Sequence, residues 1–175
     1  MKFHLYECII KRKDSEIRGH IVAPSKDRAW MVAVEHEEAL GLEHDDLTLT
    51  RVDKTLGSDR RLGLDTLLES APVGLASWCE IGWVAHIAPV QQLKLYRLVQ
   101  DGAGDLFAIA PNIDIAASVF TTALRGQIGE MRMLHIVDGI KDLPDDEVRN
   151  LPQLLEFGPI GVAHFDGDEK RWFMV

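Results

Sequence analysis

The chain is poor in cysteine and contains no long uninterrupted run of apolar residues. Its two thiols, Cys8 and Cys79, are too few for a disulfide framework, and their strand-like apolar surroundings favour inert core thiols. No stretch of eighteen apolar residues is present that would span a membrane. The first residues, MKFHLYECIIKRKDSE, lack an apolar run followed by a small-residue cleavage site. We therefore expect a cytoplasmic protein.

Positive charge is also scarce. Lysine and arginine total 19 against 28 aspartates and glutamates, which gives a formal net charge of −9. This charge repels nucleic-acid phosphates and anionic membrane surfaces, so we predict neither as a partner and favour a basic protein instead. With 46% hydrophobic and 27% charged residues, the composition is otherwise that of an ordinary globular protein.

The sequence lacks the common motifs of catalysis and cofactor binding. It has no GxxxxGK[ST] or GxGxxG loop, and the DGAGD at 101–105 falls in a predicted hairpin turn. A Gly-x-Ser-x-Gly nucleophile elbow is also missing. His36 and His44 lie in the densest group of potential metal ligands, but they lack the i, i+4 spacing of HExxH. We predict no catalytic residues, no cofactor and no metal site, and we favour a non-enzymatic role.

What the chain does contain is an internal repeat. Segments of the first half have counterparts in the second half, namely 4–11 with 94–101, 20–32 with 107–119, 47–53 with 131–138, and LLESAPVGLASW at 67–78 with LLEFGPIGVAHF at 154–165. The match places Tyr6 on Tyr96 and Asp53 on Asp138. Spacing changes only where loops are expected, which is typical of an old tandem duplication because loops tolerate insertions.

The two copies predict the same order of elements, a ββαβ-helix-β unit with a closing strand. The predicted ranges in the first copy are strands at 3–11, 18–23, 47–53, from 73, and 82–87, with helices at 26–40 and around 64–68. In the second copy they are strands at 93–99, 105–110, 131–138, from 160, and 170–175, with helices at 113–126 and around 151–155. The fold class is α+β, mainly antiparallel sheet with helices packed on it and pseudo-twofold symmetry. We expect repeats at 1–88 and 93–175, a junction at 89–92, and one compact body.

The repeat also predicts helix starts and core positions. Ser25 and Asn112 precede the two longer helices and are good N-cap residues. The predicted core includes repeated leucines and all four tryptophans, which are Leu68, Leu155, Trp30, Trp78, Trp83 and Trp172.

The segment EHEEALGLEHDD at 35–46 is the candidate partner-binding face. Its acids are Glu35, Glu37, Glu38, Glu43, Asp45 and Asp46. The matching segment of the second copy, 121–130, has little charge, so the shared fold does not require these acids. The leading hypothesis is a non-enzymatic, acidic protein-interaction module, such as an inhibitor or immunity-type protein of a basic nuclease or nucleic-acid-binding complex. The alternative for this segment is a solvated helix end.

Two other functions fit the sequence. An enzyme or small-ligand binder would have a pocket between the copies, lined by Tyr6, Tyr96, His135 and His164. For an enzyme, His164 with Asp166 and Asp168, or His135 beside Asp138, would supply a general base and its orienting carboxylate. A structural component of a larger assembly would instead expose a large apolar patch. The sequence leaves the oligomeric state open.

Overall fold

The computed structural model describes residues 2–79, 81–89, 91–99, 104–124, 135–148 and 150–175. The chain divides into two compact units, 1–91 and 92–175, which we call unit 1 and unit 2. Each unit contains a five-stranded antiparallel sheet and helices, so the fold class is mixed α+β.

Unit 1 begins with a long hairpin and continues into a helix. Its strands are β1 (His4–Arg12), β2 (Ser15–Ala23), β3 (Asp46–Arg51), β4 (Gly74–Cys79) and β5 (Gly82–His86). Its helices are α1 (Lys26–Leu40), a 3-10 turn (Ser58–Arg60) and α2 (Leu64–Ser70). The β2 strand starts earlier than predicted, because Arg12 pairs with Ser15 and shortens the polar connection to two residues.

Unit 2 contains the same kinds of element in the same order. Its strands are β6 (Lys94–Val99), β7 (Leu106–Ala110), β8 (His135–Asp138), β9 (Gly161–Asp166) and β10 (Arg171–Met174). Its helices are α3 (Ile113–Ala123), α4 (Asp145–Val148) and α5 (Leu151–Phe157). Residues 101–103 of the DGAGD turn, the end of the helix predicted at 113–126 and the first part of the strand predicted at 131–138 lie outside the described residues.

The strand order is the same in the two units when each is numbered from its own first strand. The sheet of unit 1 runs β3-β1-β2-β4-β5, and the sheet of unit 2, read from its other edge, runs β8-β6-β7-β9-β10. Every neighbouring pair is antiparallel. The longer helix follows the second strand in both units, and a short helix precedes the fourth.

Both predicted N-caps are confirmed. The Ser25 hydroxyl accepts a hydrogen bond from the Arg28 amide at 3.2 Å, and the Asn112 side chain accepts one from the Ile115 amide at 3.0 Å. Each bond satisfies an amide that has no partner within its own helix. At the other end of α1, Gly41 takes a left-handed conformation with φ of 65°, which glycine adopts without the penalty that a Cβ brings.

The core of unit 1 is formed by residues of its sheet and of α2, and two of the predicted core positions need correction. In unit 1, Leu5, Val22, Leu64, Leu67, Ala76 and Trp83 form a buried cluster. The prediction that Trp30 lies in the core is wrong, because it occupies the flank of α1 away from the buried Ala29 and Ala33 and is 43% exposed. Leu68 and Leu155 are half-buried rather than fully buried. Leu68 packs beside the cluster, while Leu67 faces into it.

Strand pairing also corrects the matching of Asp53 with Asp138. Tyr6 pairs with Arg51, whereas Tyr96 pairs with Asp138. Asp138 therefore occupies the place of Arg51, and Asp53 lies two residues beyond it. Aligning the two aspartates shifts the third strand of one unit by two residues relative to the other. A shift of two residues keeps the alternation of apolar and polar positions, so the sequence pattern does not reveal it.

Candidate partner-binding face

The acidic segment 35–46 is held in a defined conformation at the end of α1. The Gly41 amide donates to the Glu38 carbonyl, and the Leu42 amide donates to the Glu37 carbonyl, which together close the helix. The Asp45 amide then donates to the Lys11 carbonyl at 2.8 Å and leads the chain into β3. These bonds fix the backbone at both ends of the short connection.

Five of the six predicted acids are exposed, and these are Glu35, Glu38, Glu43, Asp45 and Asp46. Glu37 differs, because its side chain is 2% exposed and its carboxylate accepts a 2.6 Å hydrogen bond from the Arg12 guanidinium. His44 Nδ1 lies 3.7 Å from the other oxygen of Glu37. Glu37 therefore belongs to the interior beneath the segment, and the exposed acids form what we call the acidic face.

The charges of the acidic face are poorly compensated. Among the described residues, ion-pair contact within 4 Å is found for Glu35, whose carboxylate lies 3.8 Å from the exposed Arg28, and not for Glu38, Glu43, Asp45 or Asp46. The last turn of α1 contains no basic residue, although the negative end of a helix dipole favours cations there. Two basic residues of β1 lie nearby, namely Arg12, which contacts the buried Glu37, and Lys11, which pairs with Asp46 between β1 and β3.

The four residues of the hypothetical pocket have different settings within their own units. Tyr6 is buried, and its burial raises the pKa of the phenol. Burial likewise raises the pKa of the half-buried Tyr96, and the nearby Asp138 adds to the shift. His135 and His164 are exposed. Their strands, β8 and β9, are three places apart in the sheet, a separation of about 14 Å, and strand pairing puts His135 on the face opposite Tyr96.

The carboxylate beside His164 has a structural task. One oxygen of Asp166 accepts hydrogen bonds from the amides of Asp168 and Glu169, at 2.8 and 3.1 Å, and so caps the turn before β10. These two bonds lower the pKa of Asp166. Asp138 caps a turn in the same way, through the Ile140 amide at 2.9 Å. Both aspartates therefore stabilise turns.

A serine–histidine contact that the sequence did not suggest joins β4 to β5. The Ser77 hydroxyl lies 3.0 Å from Nε2 of His86, close enough for a hydrogen bond. The Nδ1 atom of His86 lies 3.4 Å from the Ile87 carbonyl, which is longer than a well-formed hydrogen bond. His86 pairs with Leu75 and Ser77 with Val84, so the two side chains are diagonal neighbours on adjacent strands and form a cross-strand polar pair.

An aromatic cluster on the sheet of each unit was also missed from the sequence. In unit 1 the Trp83 ring lies 4.8 Å from His20 and 5.6 Å from Trp78, measured between centroids. In unit 2 the Trp172 ring lies 5.0 Å from Phe107 and 5.5 Å from Phe165. Strand pairing places the two clusters at equivalent positions, since His20 pairs with Ala76 and Phe107 with Ala163.

The same indole hydrogen bond recurs in the two clusters. Trp83 Nε1 donates to the Arg60 carbonyl and Trp172 Nε1 donates to the Glu147 carbonyl, each at 2.8 Å. Each bond ties the closing strand to the connection before the short helix. His20 is the one polar ring among the six, and burial, with the positive charge of Arg60, lowers its pKa to about 4. A neutral imidazole therefore replaces the phenyl ring of Phe107.

Within the described ranges, His, Cys, Asp and Glu side chains do not gather in groups of three or more that would hold a metal ion. The described helices are all too short or too polar to cross a membrane. No family model matches the chain, and no similar protein was found among curated proteins or among solved structures.

Proposed function

We propose that this chain is a non-enzymatic, acidic interaction protein of the cytoplasm that binds a basic protein through the acidic face. An inhibitor or immunity-type partner of a basic nuclease or nucleic-acid-binding complex fits this chemistry. The observation that carries the proposal is the exposed charge of Glu38, Glu43, Asp45 and Asp46, which make no ion-pair contact within 4 Å among the described residues and lie at or just after the end of α1. Such charge steers the encounter with a cationic partner and sharpens its specificity.

We also propose that the two units arose by tandem duplication. Three structural features support this origin: the common strand order, the equivalent aromatic clusters, and the indole bonds of Trp83 and Trp172 to the connection before the short helix. A duplication releases one copy from constraints on the other. By sequence, the segment of the second copy that matches the acidic face, 121–130, carries little charge, which fits a division of roles between the copies.

Charge reversal of the acidic face tests the interaction. Glu38, Glu43 and Asp45 are replaced together by lysine, leaving the buried Glu37 in place so that its pairing with Arg12 is preserved. A matched control replaces the exposed acids Glu69, Asp145 and Asp168, giving the same change in net charge elsewhere. Circular dichroism checks that each variant folds, since exposed substitutions of this kind usually change stability little.

The two variants and the wild type are then used for affinity purification from the native cell, followed by mass spectrometry. We expect the wild type and the control to capture the same basic protein, and the face variant to lose it. We also expect the wild-type association rate to fall as salt rises, because exposed charges are screened. Equal capture by the face variant would contradict the proposal and leave the segment as solvated surface.

A further inference from the structure

The exposed side of α1 carries large apolar side chains next to its acids. Trp30 is 43% exposed and Met31 is 50% exposed. Residues three or four positions apart on a helix are neighbours on its surface. Met31 therefore lies beside Glu35, and Trp30, Val34 and Glu38 form a row at spacings of four. These five residues form one continuous surface, which we call the α1 face. It runs directly into the acidic face at the helix end.

The equivalent helix of unit 2 shows that the fold does not need this surface. At the places of Trp30 and Met31, α3 has Ala117 and Ser118, counted from the N-caps Ser25 and Asn112. The Ser118 hydroxyl donates to the Asp114 carbonyl of its own helix, as a solvated helix face allows. The α3 helix also exposes apolar side chains, Ile113 and Ile115, in its first turn. What distinguishes α1 is that Trp30 and Met31 adjoin two exposed acids, and an apolar patch rimmed by charged residues is typical of a contact with another molecule.

The α1 face already holds a cation of its own chain. The Arg28 guanidinium lies 3.9 Å from the Met31 sulfur and 3.8 Å from the Glu35 carboxylate. An arginine head group is therefore accommodated between a soft apolar atom and an acid on this surface. Arg28 is itself exposed, so its pairing is weak and open to competition.

We propose that the α1 face is the anchor of the docking surface and that it takes a cationic polypeptide segment in which arginine or lysine alternates with apolar residues. A cationic side chain of the partner lies over the Trp30 ring and between Glu35 and Glu38, and an apolar neighbour covers Met31. Cation–π attraction and burial of the indole supply affinity that charge alone does not. This inference rests on the proposed function and adds the chemical class of the partner.

The charges of the α1 face exclude two other occupants. A second copy of this chain would bring Glu35 and Glu38 against acids of the same sign, at a net charge of −9 on each molecule. A nucleic acid would meet the same repulsion from its phosphates. A cationic polypeptide offsets these acids while covering Trp30 and Met31.

The test uses the full chain and a synthetic twelve-residue peptide of alternating arginine and leucine, with a glutamine–leucine peptide as the uncharged control. Binding is followed through the indole signal of Trp30 in nitrogen–proton spectra, assigned by its loss in Trp30→Phe. We expect the arginine peptide to shift this signal and the amides of 30–46, and the shift to weaken with salt. The glutamine peptide should shift neither.

Two variants and a control separate the inference from the proposed function. Trp30→Ala should weaken peptide binding about tenfold or more, as expected for an aromatic anchor. Glu35→Gln with Glu38→Gln should weaken it and reduce its salt dependence, and Ile113→Ala, which truncates an exposed apolar residue of α3, should have no effect. Binding that depends on the acids but not on Trp30 overturns the anchor and leaves the proposed function standing. If the arginine peptide does not bind, or if it shifts the amide signals of α3 as much as those of α1, the anchor is overturned. The proposed function is then decided separately, by whether the charge-reversed variant loses partner capture.

Discussion

Replacing His20 by phenylalanine should make unit 1 more resistant to acid. His20 lies against the Trp83 edge in the aromatic cluster, and unit 2 has Phe107 at the same place. The substitution therefore copies a side chain that the fold already accommodates, with little change of shape. What it removes is the group whose pKa burial lowers from 6.5 to about 4.

The direction of the effect follows from proton binding. In the unfolded chain His20 takes up a proton as the pH falls through about 6.5, while in the folded chain it resists protonation until about pH 4. The unfolded state thus binds more protons between these values, and the free energy of unfolding decreases as the pH falls through that window. Between pH 7 and pH 5 the loss amounts to about 2 kcal/mol, and it levels off below the folded pKa.

The assay compares the wild type with His20→Phe at pH 7 and pH 5. Because the chain divides into two compact units, hydrogen exchange of the β2 amides reports on unit 1 more directly than a single melting curve of the whole chain. The variant should lose about 2 kcal/mol less than the wild type over this range. The reciprocal change Phe107→His should introduce a similar acid sensitivity into the β7 amides of unit 2. If His20→Phe and wild type lose protection equally, the imidazole is not held neutral and the reasoning fails.

Two further predictions concern packing. Trp83→Phe and Trp172→Phe each remove the indole hydrogen bond and leave a backbone carbonyl unpaired. Each should therefore lower the free energy of unfolding, measured in urea, by about 1–3 kcal/mol. A loss of stability in only one of the two variants would show that the bonds are not equivalent. Leu67→Ala should lower the free energy of unfolding by about 2–5 kcal/mol and Leu68→Ala by clearly less, because Leu67 is 6% exposed and Leu68 is half-buried. Equal losses of stability in the two variants would contradict the orientation of α2.

The order of the strands and of α1, α2, α3 and α5 was predictable from the sequence because each has a local signal, whereas the 3-10 turn and α4 were not predicted. Apolar alternation identified the strands, and the helix predicted at 26–40 is observed as Lys26–Leu40. Ser25 identified its start because a short polar side chain before an apolar helix pattern is a strong N-terminal signal. The strand order within each sheet was not predicted, since strand pairing depends on contacts between residues far apart in the chain.

The errors and omissions have a common physical cause. The residue type of Trp30 predicts a core position, but the buried side of α1 is the one that carries Ala29 and Ala33. Tertiary packing of that side leaves Trp30 on the exposed flank. Glu37 resembles its acidic neighbours in sequence, and its burial depends on Arg12 at the end of a distant strand. The cluster around His20 joins three strands. None of these contacts leaves a local pattern in the sequence.

The buried pair of Arg12 and Glu37 connects the two parts of the proposed docking surface. In the sequence, Glu37 lies between the exposed Glu35 and Glu38 and precedes the connection that leads to Asp45. Its carboxylate accepts a hydrogen bond from Arg12 of β1. Its own carbonyl accepts from Leu42, so the same residue also fixes the backbone past Gly41. A binding surface held in place before the encounter loses less conformational entropy on association than a loose one. A buried acid at the centre of an acidic segment is thus consistent with a proposed role in binding, because it orders the exposed acids without adding to their charge.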